Sequence, residues 1–341
     1  MKKRFALFLV LALLDALILT GCSSSLPSPL PAQLPSQGTT DGDQPDLIPA
    51  TVGYWGGTCE SPIFVAYENG YFRDAGLDVT LLRITVDVAL LIANNELDVY
   101  ELTPDQFKPI EQGLEVKIID SLHVGCIQGA ASADSGIKSP ADLEGKRVGA
   151  EVGGIAQILI ASQMVLAGKD PTKVQWRSYP LDQMEYALDQ GEIDAFGAYD
   201  PWAEIAVQNG KVKFFSNTFD EGLNDVLCCF VGMSKKSLDA NPDLGRRMSK
   251  AFKQACEYLQ GHPEEAAEMI MDKGYIAGDA RLNAKLIGDY TWIAGDKRIL
   301  DASFTEIWRQ VARAGALDKD PEDLDSYIQE LYGQMVSYMG E

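Results

Sequence analysis

The chain has 341 residues, of which 29 are Lys or Arg and 50 are Asp or Glu, so its formal net charge is −21. Hydrophobic residues make up 46% and charged residues 23%, which is the composition of a globular protein. The acidic balance excludes a nucleic-acid binder, because such proteins need Lys and Arg to displace phosphate counterions. The length favours two domains or lobes.

The N-terminal residues predict an exported, lipid-attached protein. A basic start at residues 2–4 precedes an apolar run at residues 5–19 that contains one charge, Asp15. Such a run is too short to span a bilayer and is typical of a signal-peptide core. The apolar run ends in the tetrapeptide Leu19-Thr20-Gly21-Cys22. This box resembles the bacterial lipobox, whose cysteine is lipidated and becomes the mature N-terminus, and ordinary secretory cleavage is the alternative.

The first fifty residues therefore divide into two predicted segments. Residues 1–21 are expected to be a lipoprotein signal peptide, and residues 22–50 a tether rich in Pro and Ser. A segment of this composition cannot bury a core and stays semi-extended. The expected location is the extracytoplasmic face of the cell membrane, held there by a lipid on Cys22.

The body of the chain alternates between strand and helix patterns. Strands are predicted at residues 51–55, 77–84, 97–101, 116–122, 147–150, 174–178, 195–199, 213–216 and 226–233. Helices are predicted at 61–70, 87–94, 104–112, 155–166, 181–190 and 202–208, with a short one opening at 139–140 and mostly helix from 242 onward. This alternation predicts α/β layers with largely parallel sheets, where ligands bind beyond the carboxyl ends of strands.

Several segments, in order, carry a resemblance to a known family. They are Gly53-Tyr54-Trp55-Gly56-Gly57-Thr58-Cys59-Glu60-Ser61-Pro62, then residues 68–72, 75–79, 134–138, 142–149 and 191–195, then Asp200-Pro201 and Cys228-Cys229-Phe230. Together they resemble ABC-transporter substrate-binding proteins of the nitrate/sulfonate/bicarbonate and thiamine-pyrimidine type. The resemblance covers residues 51–292.

The resemblance implies a periplasmic-binding-protein type 2 fold. In this two-lobed Venus-flytrap fold, two crossover strands join the lobes and a ligand binds in the cleft between them. Lobe 1 would comprise residues 51–130 plus 229–341, and lobe 2 residues 131–228. The crossings would lie near residues 126–131 and 227–232.

Two glycine-rich turns are candidate ligand-binding loops. Gly56-Gly57-Thr58-Cys59 precedes one predicted helix, and Gly153-Gly154-Ile155 precedes another. Glycines let backbone amides approach a ligand, and the helix N-terminus adds partial positive charge. The alternative is that each is a plain tight turn.

Polar and aromatic residues at other strand ends complete the candidate site. Glu101 ends a strand, Thr103 follows it, and Tyr199-Asp200-Pro201-Trp202 forms another strand-to-helix turn. Thr103 and Asp200 are alternatively helix caps, and the aromatic residues alternatively pack between layers. The candidate ligand-binding residues are Tyr54, Trp55, Gly56, Gly57, Thr58, Cys59, Glu101, Thr103, Gly153, Gly154, Ile155, Tyr199, Asp200, Trp202 and Cys229.

The charges in the expected cleft bear on the ligand. The segments 53–62, 99–107, 121–130, 151–157, 197–204 and 224–232 contain no Lys and no Arg. They contain the acids Glu60, Glu101, Asp105, Glu151, Asp200, Glu204 and Asp225. Binding of a hydrated anion usually recruits a cationic side chain. A neutral or amine-bearing planar solute is therefore favoured over nitrate or a small sulfonate.

The cysteines of the body allow three interpretations. Cys126 and Cys228 or Cys229 lie on the inferred crossovers and could form a disulfide. They could instead be buried thiols, or a thiol-lined pocket with Cys59 and His123 could hold a soft metal. We expect neither a metal nor a cofactor, and we expect Cys256 to lie in the core.

These features predict a lipid-anchored solute-binding protein that delivers a small molecule to an ABC permease and its ATPase. No Ser-His-Asp signature, phosphate loop or dinucleotide fingerprint is present in the sequence. We therefore expect no enzymatic activity and a monomeric protein. The alternative is a related cleft protein that acts as a sensor or a biosynthetic enzyme.

Overall fold

The computed structural model describes residues 47–317 and 321–340. The expected signal peptide, the lipobox with Cys22 and nearly all of the tether lie outside the described residues. None of the helices in the described ranges combines the length and the hydrophobicity needed to cross a membrane.

Eleven strands form two sheets in the described part of the chain. They are β1 (Ile48–Tyr54), β2 (Leu77–Arg83), β3 (Val99–Leu102), β4 (Val116–Val124), β5 (Ile127–Ala131), β6 (Arg147–Gly149), β7 (Gln175–Arg177), β8 (Ala195–Tyr199), β9 (Val212–Ser216), β10 (Leu227–Ser234) and β11 (Thr291–Trp292). The first sheet has the order β11-β4-β10-β3-β1-β2, and the second has the order β7-β6-β8-β5-β9.

Both sheets are mixed rather than largely parallel. In the first sheet β1 runs parallel to β2 and β3, whereas β10 runs antiparallel to β3 and β4. In the second sheet β6 runs parallel to β7 and β8, whereas β5 runs antiparallel to β8 and β9. Each antiparallel pair contains β4, β5 or β10, which are strands next to the two places where the chain crosses from one sheet to the other. Strand β10 returns from the second sheet and inserts between β3 and β4, and it runs antiparallel to both.

Thirteen helices cover the sheets in the described residues. They are α1 (Ser61–Glu68), α2 (Tyr71–Asp74), α3 (Val88–Ala93), α4 (Phe107–Glu111), α5 (Ile155–Leu166), α6 (Met184–Asp189), α7 (Trp202–Gln208), α8 (Lys235–Ala240), α9 (Pro242–Gly261), α10 (Pro263–Asp272), α11 (Ala280–Asp289), α12 (Lys297–Arg313) and α13 (Leu324–Met335). Alternating strands and helices confirm the α/β class that the sequence pattern predicts. The turn at Ser139-Pro140 opens a single 3-10 turn, Pro140–Asp142, rather than a longer helix.

The chain passes between the two sheets at two places. The first passage is Gly125-Cys126, between β4 and β5, and both residues have positive φ, at 105° and 93°. The second passage is the segment 217–226, between β9 and β10. Since positive φ is uncommon for a non-glycine residue, the backbone turns sharply at Cys126. This turn directs its side chain into the junction between the sheets, where the site described below lies.

Candidate functional site

The candidate site lies where the loops that follow β1 and β8 meet. The Thr58 backbone amide donates to the Asp200 carbonyl at 3.1 Å, and the Thr58 hydroxyl donates to the Asn283 side chain at 2.6 Å. Tyr199 packs on Gly57 so closely that a Cβ at this glycine would lie 3.1 Å from the tyrosine ring. The glycine turn predicted to contact a ligand is therefore buried against residues of the second sheet.

Glu60 accepts the hydrogen bonds of the first glycine turn. Its Oε1 accepts from the Trp55 amide at 2.8 Å, and its Oε2 accepts from the Gly56 and Gly57 amides at 2.6 and 2.8 Å. Burial and the neighbouring Cys59 thiolate raise the pKa of Glu60 to about 8, against the lowering effect of the three amides. The amides expected to bind ligand acceptors are thus bonded to a carboxyl group of the chain itself.

Asp200 connects three parts of the junction. Gln128 donates to its Oδ1 at 2.7 Å, and the Tyr290 hydroxyl donates to its Oδ2 at 2.6 Å. Burial raises the pKa of Asp200 to about 7, although both hydrogen bonds act in the opposite direction. Both oxygens of this predicted ligand-binding residue are therefore occupied by contacts that join β5, the start of α7 and the end of α11.

Four thiols and one imidazole converge behind this junction. We define the thiol–imidazole cluster as Cys59, His123, Cys126, Cys228 and Cys229, all of which are buried. The Cys126 Sγ lies 3.4 Å from the Cys228 Sγ and 3.9 Å from the Cys229 Sγ. The ligating atoms of Cys59, His123 and Cys126 all lie within 4.8 Å of one another. The four cysteines are free, buried thiols in this structure, which corresponds to the buried-thiol interpretation and not to the disulfide that Cys126 could have formed.

Glu101 is adjacent to the thiol–imidazole cluster. Its Oε2 lies 3.7 Å from His123 Nε2, and the ligating atoms of Glu101, His123 and Cys229 lie within 4.8 Å of one another. Glu101 is 4% exposed, and burial and the Cys59 thiolate raise the pKa of its carboxyl well above the usual range. This acid near the end of β3 is therefore a buried group beside the cysteines, and its role in ligand binding stays a prediction.

In the thiol–imidazole cluster, hydrogen bonds between thiols lower the pKa of both Cys59 and Cys228, beside an imidazole whose pKa is raised. Hydrogen bonds with the Cys126 and Cys229 thiols hold the pKa of Cys59 well below the usual range, despite burial. Burial lowers the pKa of His123, but the adjacent Cys59 and Glu101 outweigh it and the pKa rises to about 10. Burial raises the pKa of the Cys126 thiol. The arrangement supplies soft donors and a nucleophilic thiol in a buried setting.

The second glycine turn lies at the start of α5. Gly153 has a φ of 82° and is exposed, and its amide donates to the Gln157 side chain at 2.6 Å. Gly154 and Ile155 are buried. Ile155 and Pro104 line a cavity of about 10 Å³, which admits one water at most. The start of α5 therefore lies beside a cavity that is too small for an organic solute.

Thr103 lies directly before the 3-10 turn Pro104–Gln106. Its side chain makes no capping hydrogen bond to the backbone of that turn. It instead interacts with the Asp105 carboxyl, whose pKa is raised by burial in spite of this bond. Thr103 is half-buried at the edge of the junction.

The three predicted aromatic contacts separate into two groups. Tyr54 and Trp55 are half-buried at the end of β1, where Tyr54 meets Phe64 edge-on at 5.2 Å and Trp55 meets Tyr100 edge-on at 6.0 Å. Trp202 packs against the hydrophobic core of the second sheet. All three residues therefore pack against hydrophobic side chains, as in the alternative that the sequence left open. Tyr54 and Trp55 do so beside the first glycine turn, and Trp202 does so in the second sheet.

Several residues of the junction are not singled out by the sequence. Tyr290, Gln128 and Asn283 contribute side chains to it from distant segments. Arg83 is exposed at the carboxyl end of β2, with its guanidinium carbon 5.9 Å from the centre of the Tyr54 ring. The rule that ligands lie beyond the carboxyl ends of parallel strands would have found Arg83, whereas no local pattern marks the other three.

The fold and the site agree with a known family. The NMT1/THI5-like family pattern matches residues 58–266 of this chain, which is more than half of its length. The chain therefore belongs to the NMT1/THI5-like family. This match confirms the resemblance to nitrate/sulfonate and thiamine-pyrimidine proteins that the sequence segments carry.

Two curated relatives show the same affinity at low identity. A thiamine biosynthesis protein of Haemophilus influenzae is 27% identical over 60% of this chain and 66% of its own length. A 4-amino-5-hydroxymethyl-2-methylpyrimidine phosphate synthase of Candida albicans is 24% identical over 60% of this chain and 65% of its own length. The matched part of this chain thus spans just under two thirds of either relative.

Solved structures place the chain in the periplasmic-binding-protein fold. The Candida albicans CA3427 gene product, which has this generic fold, superposes with a TM-score of 0.69 at 16% identity, covering 86% of this chain and 97% of that one. The alkanesulfonate-binding protein SsuA of Xanthomonas axonopodis pv. citri gives 0.66 at 14% identity, over 82% and 96%. The periplasmic nitrate-binding protein NrtA of Synechocystis PCC 6803 gives 0.65 at 15% identity, over 88% and 94%. These likenesses confirm the predicted fold.

Proposed function

We propose that this protein is an extracytoplasmic solute-binding protein that delivers a small molecule to an ABC permease and its ATPase. In this proposal a lipid on Cys22 anchors the chain to the membrane and residues 22–50 tether it, so that a monomer works at the membrane surface. The observation that carries the proposal is the buried polar junction between two sheets that are joined by two passages. That arrangement suits a cleft that closes on a solute.

The two-lobe division belongs to this proposal. Lobe 1 would comprise residues 51–130 plus 229–341, centred on the first sheet, and lobe 2 residues 131–228, centred on the second. Strand β10 pairs with the first sheet from Leu227 onward, which supports a second boundary close to this residue. Strand β5 (Ile127–Ala131) pairs within the second sheet, so the first boundary is better drawn at the Gly125-Cys126 passage than at residue 130. The short Gly125-Cys126 passage and the longer 217–226 passage would then act as the hinge.

The charges at the junction support a neutral or amine-bearing planar solute. Glu60 already occupies the amides at the N-terminus of α1, where an anionic group would otherwise bind. Glu101 is buried with its Oε2 lacking a hydrogen-bond partner among the described residues, so it can accept from an amine. Tyr54 and Trp55 lie at the same end of β1 and would contact a flat ring.

Calorimetric titration tests the choice of solute. Amines, pyrimidines, nitrate and small sulfonates are titrated into the wild type, Glu101→Gln and the control Glu96→Gln, an exposed acid. An amine-bearing ring should bind the wild type and the control, and Glu101→Gln should weaken it by about 1.5–3 kcal/mol for a charge-assisted bond. Tight nitrate or sulfonate binding that Glu101→Gln leaves unchanged would contradict the proposed solute class.

Attachment to the membrane has its own test. Expression of Cys22→Ala in a bacterial host should leave uncleaved precursor or release soluble protein, while the wild type partitions into detergent. Processing and partitioning that are identical in the two proteins would contradict lipid attachment at Cys22.

A second candidate is a biosynthetic enzyme that acts on a pyrimidine. It is favoured by the synthase relative and by the adjacency of the Cys59 thiol and the His123 imidazole, which suits nucleophilic chemistry. Product formation from a bound pyrimidine by the pure protein, lost in Cys59→Ser, would support it. Saturable binding without any product supports the transport role.

A further inference from the structure

A glutamine on the buried face of α12 makes no hydrogen bond with its side chain. Gln310 is 1% exposed, and neither its Oε1 nor its Nε2 has a partner among the described residues. The buried residues of this helix are Leu300, Ser303, Phe304, Ile307, Trp308, Gln310 and Val311. The other aliphatic polar residue among them, Ser303, accepts from the Leu227 amide at 2.9 Å. A buried carboxamide without partners is costly, so its presence on a hydrophobic face requires a reason.

Gln310 lines the cavity of about 10 Å³ beside α5. This cavity lies between the two parts of the fold, because Pro104 and Ile307 line it beside the first sheet while Ile155 and Leu159 line it from α5, which packs on the second sheet. None of the described residues that line it is charged. The cavity would widen if the two sheets moved apart, and it then offers an apolar wall with one carboxamide.

Asn217 is the other side-chain amide in the lining, and its polar atoms are already used. Its Oδ1 accepts from the Ile127 amide at 2.7 Å, and its Nδ2 donates to the Gly125 carbonyl at 3.4 Å. These bonds join the start of the 217–226 passage to β5 and to the first passage. Asn217 therefore has a structural role, whereas Gln310 keeps one acceptor group and two donor hydrogens unused in the same wall.

We propose that Gln310 is a specificity-determining residue that recognises a carboxamide or lactam edge of the solute. Its Oε1 would accept from the N–H of the solute, and its Nε2 would donate to the adjacent carbonyl oxygen, as two amides pair side by side. The uncharged apolar lining would contact the rest of a flat solute. This inference rests on the proposed solute-binding function and adds the polar edge that the site reads. Gln310 lies outside residues 58–266, which match the family pattern, so the family likeness assigns it no role.

Calorimetric titration with two isosteric probes tests this edge. Nicotinamide carries a carboxamide on a flat ring, and 3-acetylpyridine replaces the NH₂ of that group with a methyl group and keeps the carbonyl. The wild type should bind nicotinamide about tenfold more tightly than 3-acetylpyridine or better, because the ketone leaves the Gln310 acceptor unpaired. Gln310→Met should remove the preference, and Gln334→Met, at an exposed glutamine of α13, is the matched control that keeps it. Equal binding of the two probes by the wild type, or a preference that Gln310→Met retains, would overturn the proposal.

The melting temperature of the protein without solute gives a second readout. Gln310→Met removes an unpaired buried donor and acceptor and nearly conserves volume, so it should raise the melting temperature by about 2–4 °C. Gln334→Met should leave it unchanged. A residue kept for a structural bond, or for a fixed water in the cavity, would instead lose stability on this substitution, and such a loss would overturn the proposal.

Failure of this inference can be distinguished from failure of the proposed function. A solute that binds the wild type and Gln310→Met equally would leave the solute-binding function standing and refute the role of Gln310. A wild type that binds an amine but neither probe would refute the amide edge in the same way. A wild type that binds none of the compounds titrated would refute the solute-binding function and this inference with it.

Discussion

At the scale of single residues, Glu60 determines what the first glycine turn can bind. Its carboxyl group accepts from three successive amides, those of Trp55, Gly56 and Gly57. Gly56 has a φ of 104°, and a Cβ there would lie 2.9 Å from the Tyr275 carbonyl oxygen. The turn is therefore built tightly around an acceptor that the chain itself provides.

Removal of that acceptor should destabilise the protein in a way that a small acid can repair. Glu60→Ala leaves three amides without partners, of which those of Gly56 and Gly57 are buried, at a cost of about 1–3 kcal/mol for each buried group that stays unsatisfied. Formate, which presents the same acceptor atoms, should recover part of the loss of melting temperature. The wild type in the same formate concentration is the control, and an equal shift in both proteins would contradict this role of Glu60.

Asp120 is the residue from which we expect a simple pH dependence of stability. Its Oδ1 accepts from the Ser121 and Gly295 amides at 2.8 and 2.9 Å, and burial raises its pKa from 3.8 to about 6. The folded protein therefore holds a proton that the unfolded chain releases as the pH rises. This contribution to stability is fully present below pH ~4 and is lost as the pH rises through the folded pKa of about 6.

Asp120→Asn isolates this effect because asparagine keeps the accepting oxygen and cannot ionise. The free energy of unfolding of Asp120→Asn minus that of the wild type should rise between pH 4 and pH 6 by up to about 3 kcal/mol and then level off. Urea unfolding at each pH measures it, with equal m-values as the control that both proteins undergo the same transition. A difference that does not change with pH would contradict the raised pKa.

At the scale of elements, the loop between β8 and α7 is hydrogen-bonded to residues in or next to both sheets. Asp200 accepts from Gln128 of β5 and from Tyr290, which follows α11. The same loop provides the carbonyl that accepts from Thr58 at 3.1 Å. These bonds hold the loop against both sheets, and each must break or lengthen if the two sheets move apart.

Tyr290→Phe should loosen the attachment of that loop without disturbing the core. The substitution removes the hydroxyl that donates to Asp200 at 2.6 Å and keeps the ring that stacks on His123 at 5.5 Å. We expect a loss of about 1.5–3 kcal/mol of stability for a bond to a charged group, and faster amide exchange in the 197–202 loop. Tyr332→Phe, a partly buried tyrosine on α13, is the control. Unchanged exchange in the loop would contradict this role of Tyr290.

At the scale of the whole molecule, the cavities beside α5 differ in size. The cavity beside Ile155 is about 10 Å³, far below the several hundred Å³ of typical ligand pockets, whereas the one lined by Gln163, Asp225 and Arg313 is about 410 Å³. For a solute to bind beside Ile155, we propose that the parts that carry the two sheets separate and then close again. Movement about the Gly125-Cys126 and 217–226 passages would achieve this with little change inside either sheet.

Small-angle scattering should detect the closure. A solute that raises the melting temperature should reduce the radius of gyration of the free protein and stabilise it by about 2.7 kcal/mol at a hundredfold excess over Kd. A solute that does not raise the melting temperature is the control and should leave the dimensions unchanged. Identical scattering with and without a confirmed solute would count against closure about the two passages.

The sequence by itself determined the features that depend on local pattern. Strand and helix periodicity predicted the α/β class, and the order of short segments such as Asp200-Pro201 and Cys228-Cys229-Phe230 indicated the family, which is confirmed. Cys256 was expected in the core and is buried there. Each of these follows from neighbouring residues, because periodicity and motif spacing are properties of short stretches of chain.

The tertiary structure decided how distant residues combine. Cys59, His123 and Cys229 are far apart in sequence and meet only because β4 and β10 pair in one sheet while the loop after β1 packs over them. The bond from Tyr290 to Asp200 spans 90 residues. Local patterns cannot specify such contacts, since the register of β10 between β3 and β4 is set by packing of the whole sheet. The same packing turns the predicted ligand loop inward and places Glu60 on its amides.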